Sequence, residues 1–195
     1  MEWYTAANRF TEALAAPEPT PGGGAAAAQT GAMGCALLLM AIGTTLKKKT
    51  IEPNIKNSLE TSAKRIGSLK NQLKQFVQQD AEAYTGYLTA KRIPKEDPSR
   101  DVALQTALAT AARVPADTAA TALQVLKELE GIKSQIAPII LADVACAKHL
   151  LKASIRCAVE NIRANIPFIQ NQELAEKLDK QIQLFLKSCE GENYD

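Results

Sequence analysis

Aromatic side chains are scarce in this chain: one Trp, four Tyr and four Phe among 195 residues. With 46% apolar residues and so few rings, the core must be built from Ala, Leu, Ile and Val. Small side chains of that kind suit closely spaced helices better than sheets. A surplus of one charge is also missing. Lys and Arg number 23 against 21 Asp and Glu, which gives no support for a nucleic-acid partner. The four cysteines (Cys35, Cys146, Cys157, Cys189) form no CxxC pair and have no metal-ligand spacing, so no metal site is expected. Cys146 and Cys157, eleven residues apart on one helix, would lie about 16 Å from each other, beyond disulfide reach. Reduced thiols fit a cytoplasmic location. The start, Met1-Glu2-Trp3-Tyr4, lacks the basic and apolar regions of a signal peptide. His149 is the single histidine, and no Ser or Cys stands at a spacing that would pair with it. No internal repeat and no sustained period-two alternation occur, which leaves strands without support.

By length the chain is one domain, 1–195. Helical periodicity predicts an amphipathic helix over 3–15, with Phe10 and Leu14 four apart. Pro17, Pro19 and Pro21 hold an extended connector. A helix from Gly23 or Gly24 to about Leu46 follows. Residues 25–46 carry no charge and are long enough to span a bilayer, yet ten of the 22 are Ala or Gly and four more are Gln or Thr. An apolar helix of this composition belongs at the centre of a bundle rather than in a membrane. Further helices are expected from Pro53 to about Ala90, Ser99 to Ala112, Pro115 to about Gly131, Pro138 to about Asn165, and over 171–190. The expected fold is an all-α, single-domain bundle of about six or seven helices around a central Ala/Gly-rich one.

The informative positions break these patterns. The stripe Leu73, Phe76 continues by helical steps onto Asp80 and then Tyr84. A carboxylate facing the core side has its pKa raised by desolvation, which suits acid–base chemistry near neutrality. The alternative is an Asp that pairs with a buried Arg or caps another helix. Asp143 and Asn161 are eighteen residues apart, five turns, so they share an azimuth about 27 Å apart. They either contact the two ends of an elongated ligand or line a helix interface. Arg100 stands at a helix start, where the dipole disfavours a cation, and so looks for an acidic partner: an acidic ligand group, Asp80 or Glu82. Lys48, in "LKKKT", stands at a helix end, where the dipole favours it.

"PTPGGGAAAA" sets residues that cost a helix about 1 and about 3 kcal/mol against the best helix former. A Gly22-Gly23-Gly24 turn at a helix N-terminus exposes backbone N–H groups to an anion or carbonyl. It equally permits close packing against a neighbouring helix. No Gly-Lys-Ser/Thr follows, so it is not a P-loop.

Taken in order, "PTPGGGAAAAQTGAMG", "QQDAEAYTGYLTAKRIPK", "RDVALQTALATAARVP" and "LADVACAKHLLKASIRCAVENIRAN" resemble the cyclodeaminase/cyclohydrolase family over nearly the whole chain. The resemblance implies an all-helical homodimer acting on the one-carbon unit at N5 and N10 of tetrahydrofolate, with no cofactor beyond the folate itself. It makes Asp80 the leading catalytic residue. Gly22, Gly23, Gly24, Tyr84, Asp143, Asn161 and Asn165 become substrate-binding candidates, with Arg100 and Lys48 for the glutamate tail. The expected activity is that of a methenyltetrahydrofolate cyclohydrolase. A formiminotetrahydrofolate cyclodeaminase and a non-catalytic folate-binding homologue are the alternatives. Two departures bear on them: Ala25 and Ala142 stand where the family usually has Ser, and each loses a hydroxyl that would bind pterin or order a water.

Overall fold

The computed structural model describes residues 2–190. They form six α-helices: α1 (Glu2–Ala15), α2 (Gly23–Leu46), α3 (Pro53–Arg92), α4 (Arg100–Ile132), α5 (Leu141–Asn165) and α6 (Gln172–Cys189). Short 3-10 turns occupy Lys133–Gln135, Pro138–Ile140 and Ile166–Phe168, and no strand occurs among the described residues.

Helix α2, expected at the centre, is instead one of four mutually packed helices and leaves Met33, Ala36, Met40 and Gly43 exposed along one side. It has the length and hydropathy to cross a membrane, but in this fold it packs between α3 and α5, with α4 diagonally opposite. Gly31 and Gly34 let α5 approach closely: a Cβ on Gly31 would stand 2.7 Å from Ser154 Oγ, and one on Gly34 2.9 Å from Leu151 Cγ. Ser154, fully buried, spends its hydroxyl on the Ala27 carbonyl at 2.7 Å. At the other end, the Ala137 N–H donates to Thr45 Oγ1 at 3.0 Å. The start of α2 therefore lies against the end of α5, and the two run antiparallel.

Helices α3 and α4 are antiparallel too. Ser62, early in α3, donates to Glu128 Oε2, late in α4, at 3.1 Å. The interior between the four helices is filled by Leu38, Ile42, Leu59, Ile66, Leu73, Val125, Leu129, Leu151 and Ile155, with Cys35 among them. Burial pushes the Cys35 thiol up to about 12, so it behaves as a small apolar side chain. Helix α6 lies across α5 and α4 and buries Leu178, Ile182 and Phe185. Its first turn is capped by Asn171 Oδ1, which accepts from the Leu174 N–H at 2.9 Å.

Two expected boundaries are corrected. The helices predicted over 99–112 and 115–131 are a single helix, with Pro115 in its interior. A proline there leaves the carbonyl four residues back without its donor. That carbonyl, on Ala111, instead accepts from Asn165 Nδ2 at 3.3 Å. Ala-rich sequence on both sides carries the helix through. Pro138 opens a 3-10 turn rather than the long helix, which begins at Leu141.

Candidate functional site

Four chain segments meet at one end of the bundle around a cleft of about 300 Å³. The start of α2 supplies Gly22, Gly23 and Gly24. Helix α3 adds Asp80, Tyr84 and Tyr87, α4 adds Leu108 and Ala111, and α5 adds Asn161 and Asn165, with Phe168 just beyond. That volume is at the lower end of small-molecule pockets, enough for a bicyclic head group but not for a long appendage. A larger groove, about 910 Å³, runs between α4 and α6. It holds none of the residues singled out in the sequence, and the chemistry is concentrated in the smaller cleft.

Asp80 and the glycine turn are built around each other. The N-cap of α2 is Gly22, which has no side chain to satisfy the first-turn N–H groups. Asp80 reaches across from α3, and its Oδ2 accepts from the Ala25 N–H at 2.9 Å. The carboxylate thus caps α2 in trans. It lies so close to Gly24 that a Cβ there would overlap Asp80 Oδ1 and come within 2.5 Å of Cγ. A Cβ on Gly23 would stand 3.2 Å from Asn161 Nδ2. The glycine run thus serves close packing, and the group its N–H holds is the chain's own Asp80 carboxylate, the helix-capping alternative for that residue.

Burial raises the Asp80 pKa above its ordinary value, and the Ala25 N–H partly opposes that shift. A half-buried carboxylate in the wall of a cleft, with one oxygen on a helix N-terminus, can accept a proton and return it. Around it the polar groups are oriented. Asn161 Nδ2 donates to the Cys157 carbonyl at 2.8 Å. Asn165 Nδ2 donates to the Asn161 carbonyl at 2.8 Å and to that of Ala111 at 3.3 Å. Neither amide oxygen has a hydrogen-bond partner among the described residues, so each can accept from a ligand. Tyr84 and Tyr87, with ring centroids 6.3 Å apart, form an aromatic flank. Gln105 ties the turn carrying Phe168 to α4: its Nε2 donates to the Phe168 carbonyl at 3.2 Å, and its Oε1 accepts from the Gln170 N–H at 2.8 Å.

The structure thus brings together Asp80, Gly22, Gly23, Gly24, Tyr84, Asn161 and Asn165. Three predicted positions are not among them. Asp143, in the first turn of α5, lies about 27 Å along the helix from Asn161. Lys48 follows the C-terminus of α2, the end opposite the glycines, beside Lys49, Thr50 and Lys56. Arg100 begins α4 two turns before Leu108, outside the cleft wall, with a buried Nε that has no hydrogen-bond partner among the described residues. Tyr87, Leu108 and Phe168 were not singled out beforehand. Tyr87 was within reach, since it continues the Asp80, Tyr84 stripe by three. Phe168 stands outside any periodic pattern.

The two departures from the family pattern leave the cleft wall intact. Ala25 is fully buried, and its contribution to the site is its backbone N–H. Ala142 stands on the exposed side of α5 near its start, about 28 Å from Asn161 along the helix.

Comparison with known proteins bears on the family and the fold. The family model described as formiminotransferase-cyclodeaminase matches residues 6–184. A methenyltetrahydrofolate cyclohydrolase of Methylorubrum extorquens is 31% identical over 181 residues, covering 89% of this chain and 85% of that protein. The formimidoyltransferase-cyclodeaminase of Mus musculus is 26% identical over 189 residues, and the chain spans only 35% of its length. Among solved structures, the formiminotetrahydrofolate cyclodeaminase of Thermotoga maritima superposes with a TM-score of 0.83 at 26% identity, over 92% of this chain and 87% of that one.

Proposed function

We propose that this chain, which belongs to the formiminotransferase-cyclodeaminase family, is a methenyltetrahydrofolate cyclohydrolase with Asp80 as its acid–base group. The observation that carries the reading is the Asp80 carboxylate, desolvated, fixed to the Ala25 N–H and facing a pterin-sized cleft. The likeness to a cyclohydrolase over most of both chains supports it.

The 5,10-methenyl bridge is an amidinium-like carbon, electrophilic enough for water to attack. Asp80 takes a proton from the attacking water, and the C–O bond forms. The protonated carboxyl then delivers that proton to N5 as the C–N5 bond breaks. The carbinol proton leaves to solvent, and 10-formyltetrahydrofolate remains. Free N–H groups at the start of α2 stabilise oxygen as it gains negative character. The oxygens of Asn161 and Asn165 accept from the pterin N–H groups, and Tyr84 and Tyr87 pack on its face. The cleft has no room for the glutamate tail, which runs out toward Arg100 at the same end of the bundle. Lys48 and Asp143 have no contact with the folate bound in their own chain's cleft. These steps consume the folate and one water and call on no further cofactor.

The second reading, a cyclodeaminase in which Asp80 protonates departing ammonia, is favoured by the Thermotoga maritima structure. One experiment separates the two. The purified protein is offered 5,10-methenyltetrahydrofolate and, separately, 5-formiminotetrahydrofolate, with near-ultraviolet absorbance and ammonia measured. Methenyl loss above the spontaneous rate without ammonia release supports hydrolysis, and ammonia release supports the other reaction.

The assembly we infer is a homodimer. Met33 and Met40, on one side of α2, are 50% and 41% exposed and with Ala36 make an apolar stripe. Four free cysteines support a cytoplasmic location, and α2 with most of its apolar surface inside the bundle supports a protein outside the membrane. Light scattering of the native protein and of Met33→Lys tests the dimer: mass should halve in the variant.

A further inference from the structure

Pro115 stands in the middle of α4, one turn beyond Ala111 and outside the cleft wall. Pro115 has no N–H, so the Ala111 carbonyl lacks its helical donor. Ala111 is part of the cleft wall. Its carbonyl is met by Asn165 Nδ2 at 3.3 Å, and the same nitrogen donates to the Asn161 carbonyl at 2.8 Å. An asparagine amide has two faces of opposite hydrogen-bonding sense, so its orientation decides whether a ligand meets a donor or an acceptor.

We propose that Pro115 is a positioning residue for substrate recognition: by freeing the Ala111 carbonyl it holds the Asn165 amide nitrogen away from the ligand and presents Oδ1 to the cleft. The site thereby selects for a ring edge that offers N–H donors. An ordinary residue at 115 would bring its own N–H to the Ala111 carbonyl, and Asn165 would then share that acceptor instead of holding it alone. The amide would be held less firmly on the α4 side and would rotate more freely. This inference rests on the folate reading for its ligand, but not for its geometry.

The test is a double-mutant cycle with Pro115→Ala, Asn165→Ala and the pair, read as KM and kcat for 5,10-methenyltetrahydrofolate. Pro115→Ala should raise KM roughly five-fold, the scale of one hydrogen bond, with kcat changed less than about two-fold. In the Asn165→Ala background the same change should have no further effect on KM. A KM unaffected by Pro115→Ala, or a rise of equal size with and without Asn165, overturns the proposal. The side-chain amide resonances of Asn165 give a readout that does not depend on activity. Its bonded proton should shift upfield and exchange faster in Pro115→Ala. If it stays unchanged the proposal fails, even where turnover is seen. If it moves while no folate is bound by any form, the positioning stands and the proposed substrate falls.

Discussion

Asp80 caps a helix to which it does not belong: from the middle of α3, its Oδ2 accepts from the Ala25 N–H in the first turn of α2, at 2.9 Å. A single side chain thus serves the fold and faces the cleft. The two roles can be separated by choice of substituent.

Asn at position 80 keeps an oxygen for the Ala25 N–H but has no carboxyl proton to exchange. Asp80→Asn should lose catalysis while melting close to the parent temperature. Asp80→Ala loses the cap as well, and should be less stable than Asp80→Asn by about 1 kcal/mol. Urea melts of the two variants at neutral pH check the order.

The raised Asp80 pKa gives two pH dependences. As a general base Asp80 must be ionised, so kcat/KM should fall on acidification with a one-proton slope and a midpoint above the ordinary aspartate value of 3.8. For stability the sign is opposite to that of a salt-bridged carboxylate. Between 3.8 and the folded-state value, the folded protein holds a proton that the unfolded chain has lost. Asp80 therefore makes the protein less stable as pH rises through that window, and the penalty is complete above it. Subtracting the stability–pH curve of Asp80→Asn from that of the parent isolates this contribution.

Gly24 leaves room for Asp80, and Gly23 for Asn161. Gly24→Ala puts a methyl on top of the carboxylate, so kcat should drop by about a hundred-fold or more, as for a displaced catalytic group. Gly23→Ala places its methyl 3.2–3.3 Å from the Asn161 amide, which can yield slightly. Its effect should fall on KM. Steady-state kinetics of both variants distinguish the two.

Arg100 and Lys48 should behave differently. Arg100, with its unpartnered buried Nε near the cleft end of the bundle, should matter for the glutamate tail. Arg100→Ala is expected to raise KM by about ten-fold, the scale of a charge-assisted hydrogen bond. A substrate analogue lacking the glutamate should show no such change. Lys48→Ala, at the opposite end of α2, should leave KM within about two-fold.

Much of this was legible from the residues alone. The apolar 25–46 run identifies a helix that needs cover on every side, which α3, α4 and α5 supply except along Met33, Ala36 and Met40. Asp80 shows itself because a carboxylate on the stripe of Leu73 and Phe76 must enter the interior between helices. What failed to show was long-range. Pro115 reads as a helix start because local rules see its missing N–H but not Asn165, fifty residues away, supplying the donor that its carbonyl needs. Asp143 and Asn161 share a helix face, and azimuth says nothing about which end of the bundle carries the cleft. Lys48 has the charge a glutamate tail needs, but its position opposite the glycines follows only from the length of α2. Phe168 enters the cleft through a 3-10 turn pinned by Gln105, a contact with no periodic signature.

The most direct measurement follows the near-ultraviolet absorbance of 5,10-methenyltetrahydrofolate with the parent protein and with Asp80→Asn at equal concentration. Asp80 as acid–base group predicts rapid loss with the parent and decay at the buffer rate with the variant, both proteins remaining folded. A parent no faster than buffer, or a variant as fast as the parent, would contradict it.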